Sequence, residues 1–371
     1  MIAVGLPEIA RHLHVTRGTA ASLITSYLVA MLAFQPFAGR LADKVGIRRV
    51  ATGALAGFAL ASVGAALAPS FGALLVARCL QAAFGAALIP TAQASLRSMV
   101  GEDHRGRAFG IFAAGIGVGA AVGPLLGGVL VDVASWRAIF MVNFPLALST
   151  LPLIPRPRAA TASPAAGGSW RALRRAPFVA ACATQATGNF ALYTVLLLIP
   201  LVLSDRGWHG SRVGLAVSGL TAGMVVLAPA GGRMGDRRGR ATATTAGMAV
   251  VTVGCIVLAV AVTGPAGLVA GALVMGAGMG LSNASLQASA VEAVPADVVG
   301  AAAGIFSTSR YVGSIAGSVL IGAADVAGAR GARPVLVVAA VVAAVATLTA
   351  TQLGSGRRRG RRRPIDALTG I

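Results

Sequence analysis

GRLADKVGIRR at residues 39–49 returns as GRMGDRRGRA at residues 232–241. Each copy closes a long apolar stretch with a proline near its end, Pro36 in the first and Pro229 in the second. Subtracting 39 from 232 gives an offset of 193, and the same offset carries Pro7 onto Pro200, Asp43 onto Asp236 and Gly46 onto Gly239. One further residue of shift aligns GIF at Gly110 with GIF at Gly304, then Gly119 with Gly313 and Gly123 with Gly317. The chain therefore reads as two homologous halves.

Composition says what the halves are made of. Hydrophobic residues are 56% of the chain and charged residues 11%, against roughly 25% charged in a soluble domain, and the mean hydropathy is +0.80. Apolar windows run over residues 19–38, 50–68, 71–96, 108–131, 138–154, 178–203, 213–230, 241–262, 267–288, 299–324 and 334–353. Most approach the ~20 residues that cross a hydrocarbon core as a helix, and a backbone in lipid must satisfy its own hydrogen bonds, so these are helices. The fold class expected is an all-α polytopic membrane protein of two pseudo-symmetric six-helix bundles. Parallel repeats about an axis along the membrane normal form a substrate path between them in secondary transporters.

The second half supplies six windows, whereas the first supplies five and a stub, MIAVGLPEIARHL. Because Pro7 aligns with Pro200, the stub is expected to be the outer end of a first helix whose body lies upstream; the alternative is a working protein with eleven spans. No basic segment and cleavage site mark a signal peptide at its start. The expected organisation is an N-terminal bundle at 1–154, a linker at 155–176, a six-helix bundle at 177–353 and a basic tail at 354–371. The linker is rich in proline, glycine, serine and alanine, and reads as a flexible strap.

Charge sets the orientation. Alternate loops hold Arg40, Lys44, Arg48 and Arg49, then Arg97, Arg105 and Arg107, then Arg156, Arg158, Arg171, Arg174 and Arg175, then Arg233, Arg237, Arg238 and Arg240, then the tail; the others hold far fewer. The positive-inside rule puts the rich set, with linker and C-terminus, in the cytoplasm of a cell-membrane protein. A net charge of +20 with RRRGRRR at 357–363 fits anionic lipid headgroups beside a last span better than nucleic acid. Cys79, Cys182 and Cys255 lie in separate windows and make neither a disulfide framework nor a metal site. The four histidines read as solvated loop residues.

The loop Gly39, Asp43, Gly46, Arg48 and Arg49, echoed by Gly232, Asp236, Gly239 and Arg240, resembles the signature of the major facilitator superfamily between its second and third and its eighth and ninth helices. Gly110, Gly119, Gly123, Pro124, Gly127 and Gly128 resemble the fifth-helix pattern of its multidrug-efflux, drug:proton antiporter branch. SWRAIFMVNFP at 135–145 resembles the start of that branch's sixth helix, with Trp136 expected at the membrane interface. The resemblance covers nearly the whole chain. It implies that the first set gates the cytoplasmic side and that the second accompanies export by antiport; the glycines and Pro124 equally suit a tightly packed helix pair. The second half has Ser318 where Pro124 would recur.

Two arginines stand inside windows. Arg78, in ARCLQAAFGAALIP, resembles the family's fourth-helix arginine, which implies an influence on a nearby carboxylate's protonation; a long side chain could instead snorkel to the outer surface. Arg310, in IFSTSRYVGSIAG, lies a turn from Ser307, Ser309 and Ser314, and both a structural role and contact with substrate or proton are open. No Asp or Glu lies in the middle of a window, so a proton-carrying acid is expected on the upstream first helix. No phosphate-binding loop is present, and no carboxylate pair, histidine cluster or Ser-His constellation of an enzyme falls at membrane depth. The resemblance thus implies a proton-coupled exporter of drugs or other small amphipathic or cationic compounds, working by alternating access as a monomer without cofactor. Its partners would be the small-molecule substrate, protons and membrane lipids, with no nucleic acid. The alternatives are an exporter of a specific metabolite and a truncated, transport-inactive relative.

Overall fold

The computed structural model describes residues 1–100, 102–154, 173–295, 298–324 and 328–354, without the side chains at 36, 39, 40, 43, 97, 98, 102–110, 113, 114, 299–301, 328–330 and 354. Among the described residues the regular structure is helical. In chain order the α-helices are α1 (Ile2–His12), α2 (Arg17–Val45), α3 (Ile47–Ala66), α4 (Phe71–Met99), α5 (Glu102–Val133), α6 (Ala138–Met141), α7 (Asn143–Thr150), α8 (Ala176–Ser204), α9 (Gly210–Arg238), α10 (Arg240–Val260), α11 (Pro265–Glu292), α12 (Val299–Ala323) and α13 (Gly328–Thr351). Most of the linker and nearly all of the basic tail fall outside the described residues, and α8 begins at the last residue assigned to the linker.

The sequence repeat is a repeat of backbone. Helices α2 and α9 are each 29 residues long, and both end on a glycine of positive φ, Gly46 at 96° and Gly239 at 93°. The Gly46 amide donates to the Ala42 carbonyl at 3.0 Å and the Gly239 amide to the Gly235 carbonyl at 3.1 Å. The same two glycines then accept from Val50 and Ala243, each at 3.2 Å, to open α3 and α10. One residue thus ends one helix and starts the next, in a conformation that strains any side chain beyond glycine.

Among the described residues, nine helices are long and apolar enough to cross a membrane, and α12 reaches 25 residues with Arg310 near its middle. The window at 138–154 is a shorter apolar helix, Ala138–Leu153. Its hydrogen-bond ladder is interrupted between α6 and α7, where Pro145 has no amide to donate, and tightens to a 3-10 turn at Leu151–Leu153. Trp136, between α5 and α6, is 0% exposed, boxed by Phe140, His12 and the Arg137 guanidinium, the last 4.5 Å above its ring. It is a core residue at a helix end.

In the second half, glycines bring backbones together in place of a hydrophobic force, which lipid does not supply between helices. A Cβ on Gly247, Gly254 or Gly278 would strike the facing backbone between α10 and α11, and one on Gly223 or Gly231 would strike α11 from α9. Gly313 and Gly317 seat α12 on the backbone of Ala186 and Phe190 in α8. In the first half α4 lies on α2 and α3, and α1 inserts its apolar side among α2, α5, α8 and α9. The halves meet where α5 packs on α9 and α2 on α12.

Candidate functional site

The α5–α9 seam is built by the glycine pattern. A Cβ on Gly214 would lie 2.6 Å from the Pro124 carbonyl oxygen and 3.3 Å from the Gly128 Cα. Gly128 in turn faces the backbone of Gly210 and Ser211. Gly123 and Gly127 point elsewhere, onto Met1 ahead of α1, while Gly119 has open space beside it. Gly110 lies among the side chains left undescribed. The pattern therefore performs two contacts: one edge receives the chain start, and the Pro124 and Gly128 edge receives the other half. The matching seam pairs Gly18 of α2 with Gly322 of α12, backbone to backbone.

Polar contacts reinforce both seams on the side away from the basic loops. Arg17, at the start of α2, pairs with Asp205, just past the end of α8. The Asp132 carboxylate accepts the Ser211 amide at 2.6 Å, at the start of α9, where a negative charge also meets the helix dipole. Gly210 has no Cβ because the Asp132 carboxylate fills that space. Thr25 donates to Ser318 at 2.9 Å, so the serine standing where Pro124 would recur makes a bond between halves. Deeper along α5, a Cβ on Gly117 would meet Val225, and beyond this level one on Gly115 or Gly232 would meet nothing within 4 Å among the described residues. Asp132 and Asp205 were legible only as acids at helix ends. A carboxylate one turn from a facing helix start was the available signal.

At the basic end, the repeated loops are less engaged. Asp236, Arg48 and Arg49 are exposed, and the side chain of Asp43 lies outside the description. Arg240 pairs with Glu292 at 2.8 Å, tying α10 to α11 within one half.

Arg78 is 9% exposed and does not snorkel. Its Nη1 donates to Gln81 Oε1 at 2.8 Å, and Gln81 Nε2 donates to Ser62 Oγ at 2.6 Å. The guanidinium lies 4.0 Å over the Tyr27 ring and 5.9 Å from that of Phe140, while its Nε has no partner. Gly85 leaves room for the Tyr27 hydroxyl. A charged arginine in mid-helix costs ~2.5–3.5 kcal/mol on insertion scales. A hydrogen bond to a charged group recovers ~1.5–3 kcal/mol and a cation–π contact ~0.5–2 kcal/mol, so this setting offsets the cost. Arg310 differs: it is exposed, midway along α12, and its carbonyl accepts from Ser314. Arg78 and Arg310 are thus both at membrane depth, one locked and one presented.

The sequence comparisons agree with this geometry. The model of the Major Facilitator Superfamily matches residues 1–318 and 186–366. An uncharacterized MFS-type transporter of Bacillus subtilis, YvkA, is 28% identical over 386 residues, covering 87% of this chain and 86% of that protein. The multidrug resistance protein Stp of Mycobacterium tuberculosis is 29% identical over 384 residues, covering 87% and 72%. The puromycin resistance protein pur8 of Streptomyces alboniger is 40% identical over 162 residues, 43% of this chain and 32% of that protein. With its duplicated helix ends, its glycine seams and relatives that include multidrug- and antibiotic-resistance proteins, the chain belongs to the Major Facilitator Superfamily.

Proposed function

We propose that this transporter exports small amphipathic compounds in exchange for protons, by rocking its two halves about the middle of the membrane. The observation that carries the reading is the uneven seam. Backbone contacts and polar bonds join the halves at the Asp205 and Gly210 end, while among the described residues a Cβ on Gly115 or Gly232 near the basic end would meet nothing within 4 Å. With the basic loops in the cytoplasm, this is a state closed outward and accessible from within.

The closing contacts suit a reversible gate. The Arg17 and Asp205 side chains are 40% and 22% exposed, and such a pair contributes only ~0–1 kcal/mol. Glycine contacts involve no interlocked side chains, so α5 can slide or separate from α9 at modest cost. In the opposite state the Asp43 and Asp236 loops would close the cytoplasmic side, which fits their free exposure where described. Arg78 would act on proton binding through its fixed charge.

Inside-out membrane vesicles holding the full chain should take up a fluorescent amphipathic dye when their lumen is acidic. A protonophore should stop the uptake. Uptake indifferent to the protonophore contradicts proton coupling, and absence of uptake above empty vesicles contradicts export.

A further inference from the structure

The chain has three tyrosines, and they converge. Tyr27 on α2, Tyr193 on α8 and Tyr311 on α12 are each half-buried, on helices of which α12 packs against both α2 and α8. They come from both halves. Counted from the closed helix ends at Arg17, Ser204 and Ala323, they stand roughly 15–18 Å deep at 1.5 Å per residue, near the middle of the bilayer. Thr25 and Ser318 close the seam just outward of them.

Two cations belong to the same cluster. Arg78 lies against the Tyr27 ring at 4.0 Å, and Arg310 acts on both Tyr193 and Tyr311. Ser314, one turn on, donates to the Arg310 carbonyl at 2.9 Å. Arg78 and Arg310 are the charges that stand about two helical turns or more from a helix end. Of the eleven acidic residues, those described stand within about a turn of a helix end, Glu8 of α1 among them with its Oε2 buried and unpartnered. The exposed Arg310 guanidinium has no carboxylate partner among the described residues.

We propose that this cluster is a receptor for a small aromatic anion, a carboxylate or phenolate on a planar ring system, with the charge on Arg310 and the rings of Tyr27, Tyr193 and Tyr311 as walls. This names the substrate class of the exporter proposed above and rests on that reading. A planar guanidinium offers a fork of donors that matches a carboxylate, and tyrosines give both a stacking face and a hydroxyl. Arg78, held behind Tyr27, adds a second positive charge to the field. A cationic substrate would meet the like charges of Arg78 and Arg310, contrary to the expectation of cationic cargo.

Fluorescein and rhodamine 6G share one xanthene ring system and carry opposite charges near neutral pH. Fluorescence polarisation on the purified full chain in nanodiscs should show fluorescein bound more tightly than rhodamine 6G, after subtraction of empty nanodiscs. Arg310→Gln should weaken fluorescein at least about tenfold while leaving rhodamine 6G equal or tighter, and Arg310→Lys should keep most of the affinity. Tyr193→Phe and Tyr311→Phe should each weaken fluorescein by about threefold or more. Preference for rhodamine 6G, binding of neither dye, or an equal effect of Arg310→Gln on both overturns the proposal. Protonophore-sensitive uptake together with a preference for rhodamine 6G would remove the substrate class and leave the exporter. Tight fluorescein binding without any dye uptake would do the reverse.

Discussion

Arg78 shows how a single costly charge is made permanent. Its hydrogen bond to Gln81, the relay to Ser62 and the Tyr27 ring come from α2, α3 and α4, so removing the guanidinium leaves Gln81 unpartnered on one side. We expect Arg78→Ala to abolish proton-driven dye export while the protein still inserts, and Arg78→Lys to keep a fraction of it, since lysine retains the charge and loses the planar fork. Initial uptake rates in inside-out vesicles at matched expression decide this; wild-type rates in Arg78→Ala would remove Arg78 from coupling. At the basic end, Asp43→Asn should cut export severalfold without loss of protein. Asp236→Asn should do less, because Asp236 stands exposed beside a shorter copy of the loop. Equal transport in Asp43→Asn and wild type would count against a gate there. Arg78 was visible in the sequence because a charge inside an apolar window demands an explanation. Its partners were not, since Gln81, Ser62 and Tyr27 are ordinary residues until three helices bring them together. The same holds for the tyrosine cluster, whose members are 166 and 118 positions apart by subtraction of 27 from 193 and 193 from 311.

Helices α5 and α9 carry the central hinge of the proposal. Their seam rests on Gly214 facing Pro124 and Gly128 facing Gly210, so a branched side chain at Gly214 must push the helices apart. Gly214→Val should shift the population toward the outward-open state. The readout is thiol labelling of an added cysteine at Val217, which is buried: faster labelling by a membrane-impermeant reagent is expected, and unchanged labelling contradicts the seam's role. The glycine spacing of α5 was legible as close packing, and its division into two edges was not. Spacing in one helix gives the face a residue occupies, whereas the partner on that face depends on how two bundles dock. The interruption between α6 and α7 in the apolar helix Ala138–Leu153 has a local reason. Hydropathy over 138–154 is high, yet Pro145 withholds one amide and ends the regular ladder after Met141.

Over the whole molecule, the duplicated loop was the most readable feature, since an offset of 193 in sequence, 239 less 46, reappears as two glycines with φ within a few degrees of one another. Arginine asymmetry then predicts topology: reporter fusions at Ala162, which lies outside the described residues, and after Arg363 should report cytoplasm, and a fusion near Trp208 the outside. Ala162 and Trp208 on one side would break the two-bundle arrangement. The central claim, that the halves rock about the mid-membrane, is tested most directly by paired spin labels in liposomes. One pair replaces the exposed Val133 and His209 at the closed end, the other the exposed Lys44 and Arg237 at the basic ends. Double electron–electron resonance should find the first distance short when the second is long, and a change of pH with a transported dye should exchange the two populations. Both distances growing together, or neither changing while export proceeds, would contradict alternating access by these halves.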